Sequence, residues 1–163
     1  MAAAAVLTLR TATVADAGVI LRFIRELAVY EKAEHAVQTD EAGIAGSLFG
    51  ADASARALIC EADGQPIGYA VYFYNYSTWL GRKGLYLEDL YVSPDHRGLG
   101  AGTALLRLLA RQAVAEGCGR FEWSVLDWNA PAIAFYTAAG ARPQDEWTVY
   151  RLEGDALQAF AAG

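Results

Sequence analysis

Apolar and polar residues alternate over Val6–Arg10, the two-residue period of a half-buried strand. The period then changes. Thr13 or Asp16 can cap a helix running to about Tyr30, in which Ile20, Phe23, Ile24 and Leu27 form one apolar face. Thr39 to Phe49 reads as a second, shorter helix, with Gly50 near its end. Arg56–Glu61, Ile67 to about Tyr76 and Leu85–Val92 read as strands. Asp63-Gly64 is a hairpin signal between the first two, and Ser77 to Gly84 turns the chain before the third. Helical spacing returns with Ala104, Leu105, Leu108, Leu109 and Ala113, and Gly117 fits the stop. Phe121–Leu126 reads as a strand. Asn129 caps a helix with Pro131 in its first turn and Gly140 at its close. Glu146–Leu152 reads as a last strand and Asp155–Ala161 as a short terminal helix. The order β-α-α-β-β-β-α-β-α-β predicts an α/β (α+β mixed) fold, a central mixed sheet with helices on both faces.

Composition narrows the reading. A chain of 163 residues, 55% apolar and 12% aromatic, is expected to form one domain, 1–163, with a packed core. The net charge of −6 argues against a nucleic-acid partner and suits a cationic ligand. Cys60 and Cys118 form no metal-ligand spacing and suit a reducing, cytoplasmic setting, so no metal is expected. No apolar run approaches membrane-spanning length, and the alanine-rich start lacks the basic region of a signal peptide.

The most informative stretch is Arg97-Gly98-Leu99-Gly100-Ala101-Gly102, set between an apolar strand and an amphipathic helix. A glycine turn feeding a helix start leaves backbone N–H groups free, and the positive end of the helix dipole adds to them. Such a turn seats phosphate, although it can also simply start a helix. No lysine follows Gly102, which departs from a P-loop, and Thr103 stands where a dinucleotide fingerprint needs a third small residue. The loop resembles the acetyl-CoA loop of the GNAT family of N-acetyltransferases.

The resemblance extends over nearly the whole chain, through Ile24–Ala28, Tyr30-Glu31, Tyr86–Val92, Asp127-Trp128-Asn129, Phe135-Tyr136 and Gly140-Ala141. It is strongest to the spermidine/spermine acetyltransferase-like group. Within that group, Tyr76–Arg82 and Val125–Asn129 resemble the members that acetylate thialysine at its ε-nitrogen. The polyamine enzymes carry an acidic residue where this chain has Ser77.

The resemblance implies an enzyme that moves an acetyl group from acetyl-CoA to a primary amine in a ternary complex. An alkylammonium has a pKa of about 10.4, so a base must take its proton before attack. Glu88 is the candidate, as base or as ammonium anchor. Tyr136 corresponds to the general acid for the departing thiolate, and Cys118 is not expected to be a nucleophile. Leu90, Tyr91 and Val92 would hydrogen-bond the pantetheine arm. Arg97, Gly98, Leu99, Gly100, Ala101, Gly102 and Thr103 would seat the pyrophosphate. Asn129, Ala130, Pro131 and Ala132 would line the cofactor's other side, with Asn129 also a helix cap. Tyr30, Glu31, Trp79, Glu88, Glu122, Trp123, Ser124 and Glu146 match amine-side positions, although each acidic residue alone also fits a solvated surface. Members of this group are typically homodimers. A polyamine or diamine acceptor, a protein amine, and a non-catalytic acyl-CoA sensor stay open as alternatives.

Overall fold

In the computed structural model, one sheet is built in the order β1-β2-β3-β4-β5: β1 (Leu7–Thr11), β2 (Arg56–Ala62), β3 (Gln65–Ser77), β4 (Arg82–Val92) and β5 (Phe121–Trp123). The described residues are 4–163, and they divide between Ser124 and Val125 into two compact units. The first unit holds the sheet with helices α1 (Ala17–Tyr30), α2 (Glu41–Phe49) and α3 (Ala101–Ala115). The first four strands pair antiparallel, and β5 joins β4 in parallel, so the sheet is mixed as expected. The described chain contains no helix long and apolar enough to cross a membrane.

The two faces of the sheet differ. Ile20 and Phe23 of α1 and Ile44 of α2 share a buried cluster with Ile59, Tyr69, Val71 and Tyr91. Phe23 stacks on Tyr69 with ring centroids 5.5 Å apart. Burying a side chain of this size contributes roughly 2–3 kcal/mol, so this face anchors α1. The other face receives α3. Its Leu105 and Leu109 are fully buried, and Gln112 donates to the Tyr72 and Tyr74 hydroxyls at 3.2 and 2.7 Å.

A β-bulge interrupts the β3–β4 ladder. Asp89 lies opposite Val71 and Leu87 opposite Tyr72, which leaves Glu88 as the extra residue. The bulge reverses the alternation of β4. Leu85 and Leu87 oppose Tyr74 and Tyr72, which point to α3. Asp89 and Tyr91 oppose Val71 and Tyr69, which belong to the α1 face.

Two predicted strands need correction. The β4–β5 ladder stops at Leu87 and Trp123, so β5 ends at Trp123 and not at Leu126. The strand expected over Glu146–Leu152 does not form. It lies in the second unit, whose regular elements are the helices α4 (Ala130–Ala138) and α5 (Gly154–Ala162). That unit contains no other strand among the described residues, and an unpaired strand leaves its backbone groups without partners. Trp147, Val149 and Tyr150, which made the segment read as a strand, are 65, 83 and 94% exposed.

Candidate active site

The end of α1 forms one wall of a groove in the first unit. Ala33 N–H reaches back to the Ala28 carbonyl at 2.8 Å, and Lys32 takes the left-handed turn with φ 60°. Helices often close this way, usually with glycine at the turn. The chain therefore folds back over residues 33–39, and a groove of about 620 Å³ opens between that return, the α1 residues Ile24, Leu27 and Ala28, and the bulge of β4.

Three carboxylates line this groove: Glu31, Glu88 and Asp89. No lysine or arginine is among its lining residues. Glu88 and Asp89 reach one groove because of the bulge; strict strand alternation would send neighbours to opposite faces. Asp89 accepts a hydrogen bond from the Tyr69 hydroxyl at 2.5 Å. Burial pushes its carboxyl above the ordinary carboxylate range, and the Tyr69 contact opposes that rise. Glu31 is also raised, first by burial and then by the Asp89 charge. Burial thus disfavours the charged forms of Asp89 and Glu31, and a nearby cation would favour them.

Glu31 and Glu88 were expected amine-side residues; Asp89 was missed. The adjacent acidic pair was visible in the sequence, but the bulge that aims both side chains one way was not.

Beyond Leu87, β4 continues to Val92 without β5, so the edge carrying Leu90, Tyr91 and Val92 extends past the ladder. Such an edge offers backbone groups to an extended ligand. The turn Pro94–His96 then leads into the glycine loop. Gly98 and Gly100 take left-handed φ angles of 83 and 82°, and an added Cβ would meet nothing within 4 Å at either. They are glycine for the backbone path, not for lack of room. The path ends at the first turn of α3, which contains Ala101, Gly102 and Thr103.

The other expected residues fall elsewhere. Tyr30 ends α1 beside Glu31. Trp79 is 86% exposed on the β3–β4 turn. At about 3.3 Å per strand residue, that turn is roughly 20 Å along β4 from Glu88, so one chain does not bring Trp79 to this groove. Ser77 is buried, and its hydroxyl accepts from Leu80 N–H at 3.2 Å, which gives it a turn-capping role. Glu122 pairs with Arg120 at 2.7 Å, Trp123 packs edge-on against Phe121, and the Ser124 and Tyr86 hydroxyls are 2.7 Å apart.

In the second unit, Asn129 is 8% exposed and its side chain accepts from Ala132 N–H at 3.4 Å. The expected cap therefore forms, with Ala130 and Pro131 opening α4. Tyr136 follows on α4, its ring 5.5 Å from that of Phe135. Glu146 lies in the irregular segment between α4 and α5.

A sequence model of the Acetyltransferase (GNAT) family matches residues 21–141, which include the groove, the glycine loop and α4. The chain belongs to this family. It is 40% identical over 164 aligned residues to a thialysine N-epsilon-acetyltransferase of Sus scrofa, covering 94% of this chain and 96% of the relative. It is 31% identical to an L-ornithine N5-acetyltransferase of Arabidopsis thaliana, covering 93% and 86% of the two chains. An integron cassette protein from the mobile metagenome of V. cholerae superposes with a TM-score of 0.81 at 26% identity, over 96% of this chain and 98% of the other. The resemblance drawn from the motifs is borne out, and this GNAT protein is an acyl-transferring enzyme. Members of the family use acetyl-CoA as co-substrate.

Proposed function

We propose that this GNAT enzyme transfers an acetyl group from acetyl-CoA to the primary amine of a small, lysine-like molecule of the thialysine type. The two units would work as one catalytic domain. The observation that carries the reading is the bulge at Glu88. It turns the adjacent carboxylates Glu88 and Asp89 into the groove that Glu31 also lines, where β4 leaves the ladder with β5. Carboxylates hold an ammonium, and an unpaired edge suits an amide-bearing arm. The residues present fit acetyl-CoA. The open path of Gly98 and Gly100 and the N–H groups beginning α3 suit its pyrophosphate, and Leu90–Val92 suit its arm.

In this reading, Glu88 accepts the proton of the bound ammonium, directly or through water, while Asp89 and Glu31 hold the cation. The neutral nitrogen attacks the thioester carbonyl, the C–N bond forms and the C–S bond breaks. Tyr136 donates a proton to the departing thiolate. Asn129–Ala132 flank the cofactor, and Glu122, Trp123, Ser124 and Glu146 complete the amine side. Trp79 would reach an acceptor site only in a second copy, in keeping with a homodimer.

A second reading, a diamine or polyamine acceptor, is favoured by the groove's charged lining residues, which are all acidic. Its lining offers no cation for the carboxylate of an amino acid. Ser77, whose position argued against this reading, is buried and caps the β3–β4 turn, which gives it a local structural role.

Thiol release from acetyl-CoA with thialysine, lysine, spermidine, diaminopropane and a lysine peptide separates the acceptors. Thialysine turnover well above spermidine turnover supports the first reading, and the reverse supports the second. Silence with intact cofactor binding points to an acceptor outside this panel or to a sensor. Tyr136→Phe is expected to lower kcat about 100-fold, the lower range for a general acid, with acetyl-CoA affinity kept. An unchanged rate would remove Tyr136 from that role.

A further inference from the structure

One side chain of the first unit touches both halves of the proposed site. Arg97 opens the glycine loop, yet its guanidinium carbon lies 5.4 Å from the centroid of the Tyr30 ring, at the end of α1. Its Nε donates to the carbonyl of Val92, the last residue of β4, at 3.4 Å. Its charge also reaches Tyr91. Burial and Glu26 push the Tyr91 phenol up to about 12, and Arg97 pulls the other way. One planar cation thus spans the phosphate loop, the end of β4 and the end of α1. A guanidinium suits this: it stacks flat on a ring while its edge still donates.

Tyr30 immediately precedes Glu31, which lines the acceptor groove. We infer that Arg97 is a positioning residue that couples cofactor occupancy to the acceptor groove through Tyr30. Phosphate on the loop backbone fixes the start of the loop. The loop fixes Arg97, and Arg97 on the ring fixes the turn that carries Glu31. The inference rests on the acetyl-CoA reading above. Coupling of this kind is reciprocal. A change at Tyr30, on the amine side, must therefore be felt in cofactor affinity.

Calorimetric titration of CoA into the full-length protein, with no acceptor present, tests this. Tyr30→Leu should weaken CoA binding about two- to fivefold, the range of one exposed cation–π contact. Tyr30→Phe, which keeps the ring, should bind as the parent does. In an Arg97→Gln background, Tyr30→Leu should cost nothing more. An unchanged affinity in Tyr30→Leu, or the same cost in both backgrounds, overturns the coupling. Absence of CoA binding by the parent protein would instead overturn the proposed function. Should Tyr30→Leu fail to fold, Arg97→Gln alone decides the matter. At saturating acetyl-CoA its KM for the amine should rise two- to fivefold, and an unchanged KM overturns the proposal.

Discussion

Two acidic clusters lie in the first unit and have opposite electrostatics. At one, Asp16 receives both terminal nitrogens of Arg10 at 2.8 and 2.9 Å, and Glu61 takes the Arg10 Nε at 2.8 Å. Arg10 holds the Asp16 carboxyl below the ordinary carboxylate range. At the other, Glu31, Glu88 and Asp89 share a groove whose lining contains no arginine or lysine, and burial raises Asp89 and Glu31. The first cluster holds its own cation, which pairs with both carboxylates and ties β1 to the start of α1. The second carries an electrostatic cost, which a structural role does not require. In the proposed function, that cost is what a cationic amine entering the groove would offset.

The largest effect should come from emptying the second cluster. Glu88→Gln with Asp89→Asn is expected to lower kcat/KM for the amine roughly 100-fold, since hydrogen bonds to charged groups contribute about 1.5–3 kcal/mol each. Asp89→Asn alone should also stabilise the fold, by up to about 1 kcal/mol, because it removes a poorly solvated charge. Steady-state kinetics and thermal melting on the same samples read both effects. Loss of stability together with activity would mean that Asp89 is structural, and the contrast would fail.

Asp16→Asn should do the reverse. Removing the Asp16 charge takes two charge-assisted bonds from Arg10 and leaves it paired with Glu61 alone. With Arg10 34% exposed, the expected cost is about 2 kcal/mol, below the full buried-pair range. Urea unfolding measures it, and kcat should hold in the folded fraction.

Much of this architecture was legible. The glycine loop, the Asn129 cap and the apolar face of α1 each announce themselves through local chemistry, and all three form. Glu88 and Glu31 were expected on the amine side through the family resemblance, and both line the groove. Asp89 was not, because a bulge depends on pairing across two strands, and a single-strand period cannot show it. The Glu146–Leu152 segment misled for a related reason. Its residue types favour a strand, but a strand also needs an adjacent edge, and no property of Trp147 or Tyr150 reports whether one is present.

Acid titration should separate the clusters further, with a smaller effect. Asp16 has a lowered folded pKa, so its stabilisation is full above the unfolded value of about 3.9 and is lost as pH falls through the folded value. Asp89 and Glu31 have raised folded values, so their contribution is present at low pH and is lost as pH rises through those values. The stability gap between the parent and Asp89→Asn should therefore narrow as pH falls from neutrality toward about 4. The gap to Asp16→Asn should persist there and close only at lower pH. Gaps that close together would mean that the two carboxyls share one environment.

The smallest effect concerns Glu122, which could belong to either class. It was expected on the amine side, yet it pairs with Arg120 at 2.7 Å and accepts from the Asn75 amide at 3.4 Å, which makes it resemble Asp16. The Arg120 and Glu122 side chains are 40 and 35% exposed, so solvent screens the pair. Arg120→Met should cost no more than about 0.5 kcal/mol. The informative readout is the KM for the amine. If Glu122 is neutralised as Asp16 is, releasing it from Arg120 leaves KM unchanged. If Glu122 serves the acceptor, its freed carboxylate adds negative charge, and KM for a cationic amine falls while kcat holds. A lowered KM would extend the charge-storing region from the bulge of β4 onto β5, and the groove would then be one end of a longer acidic path.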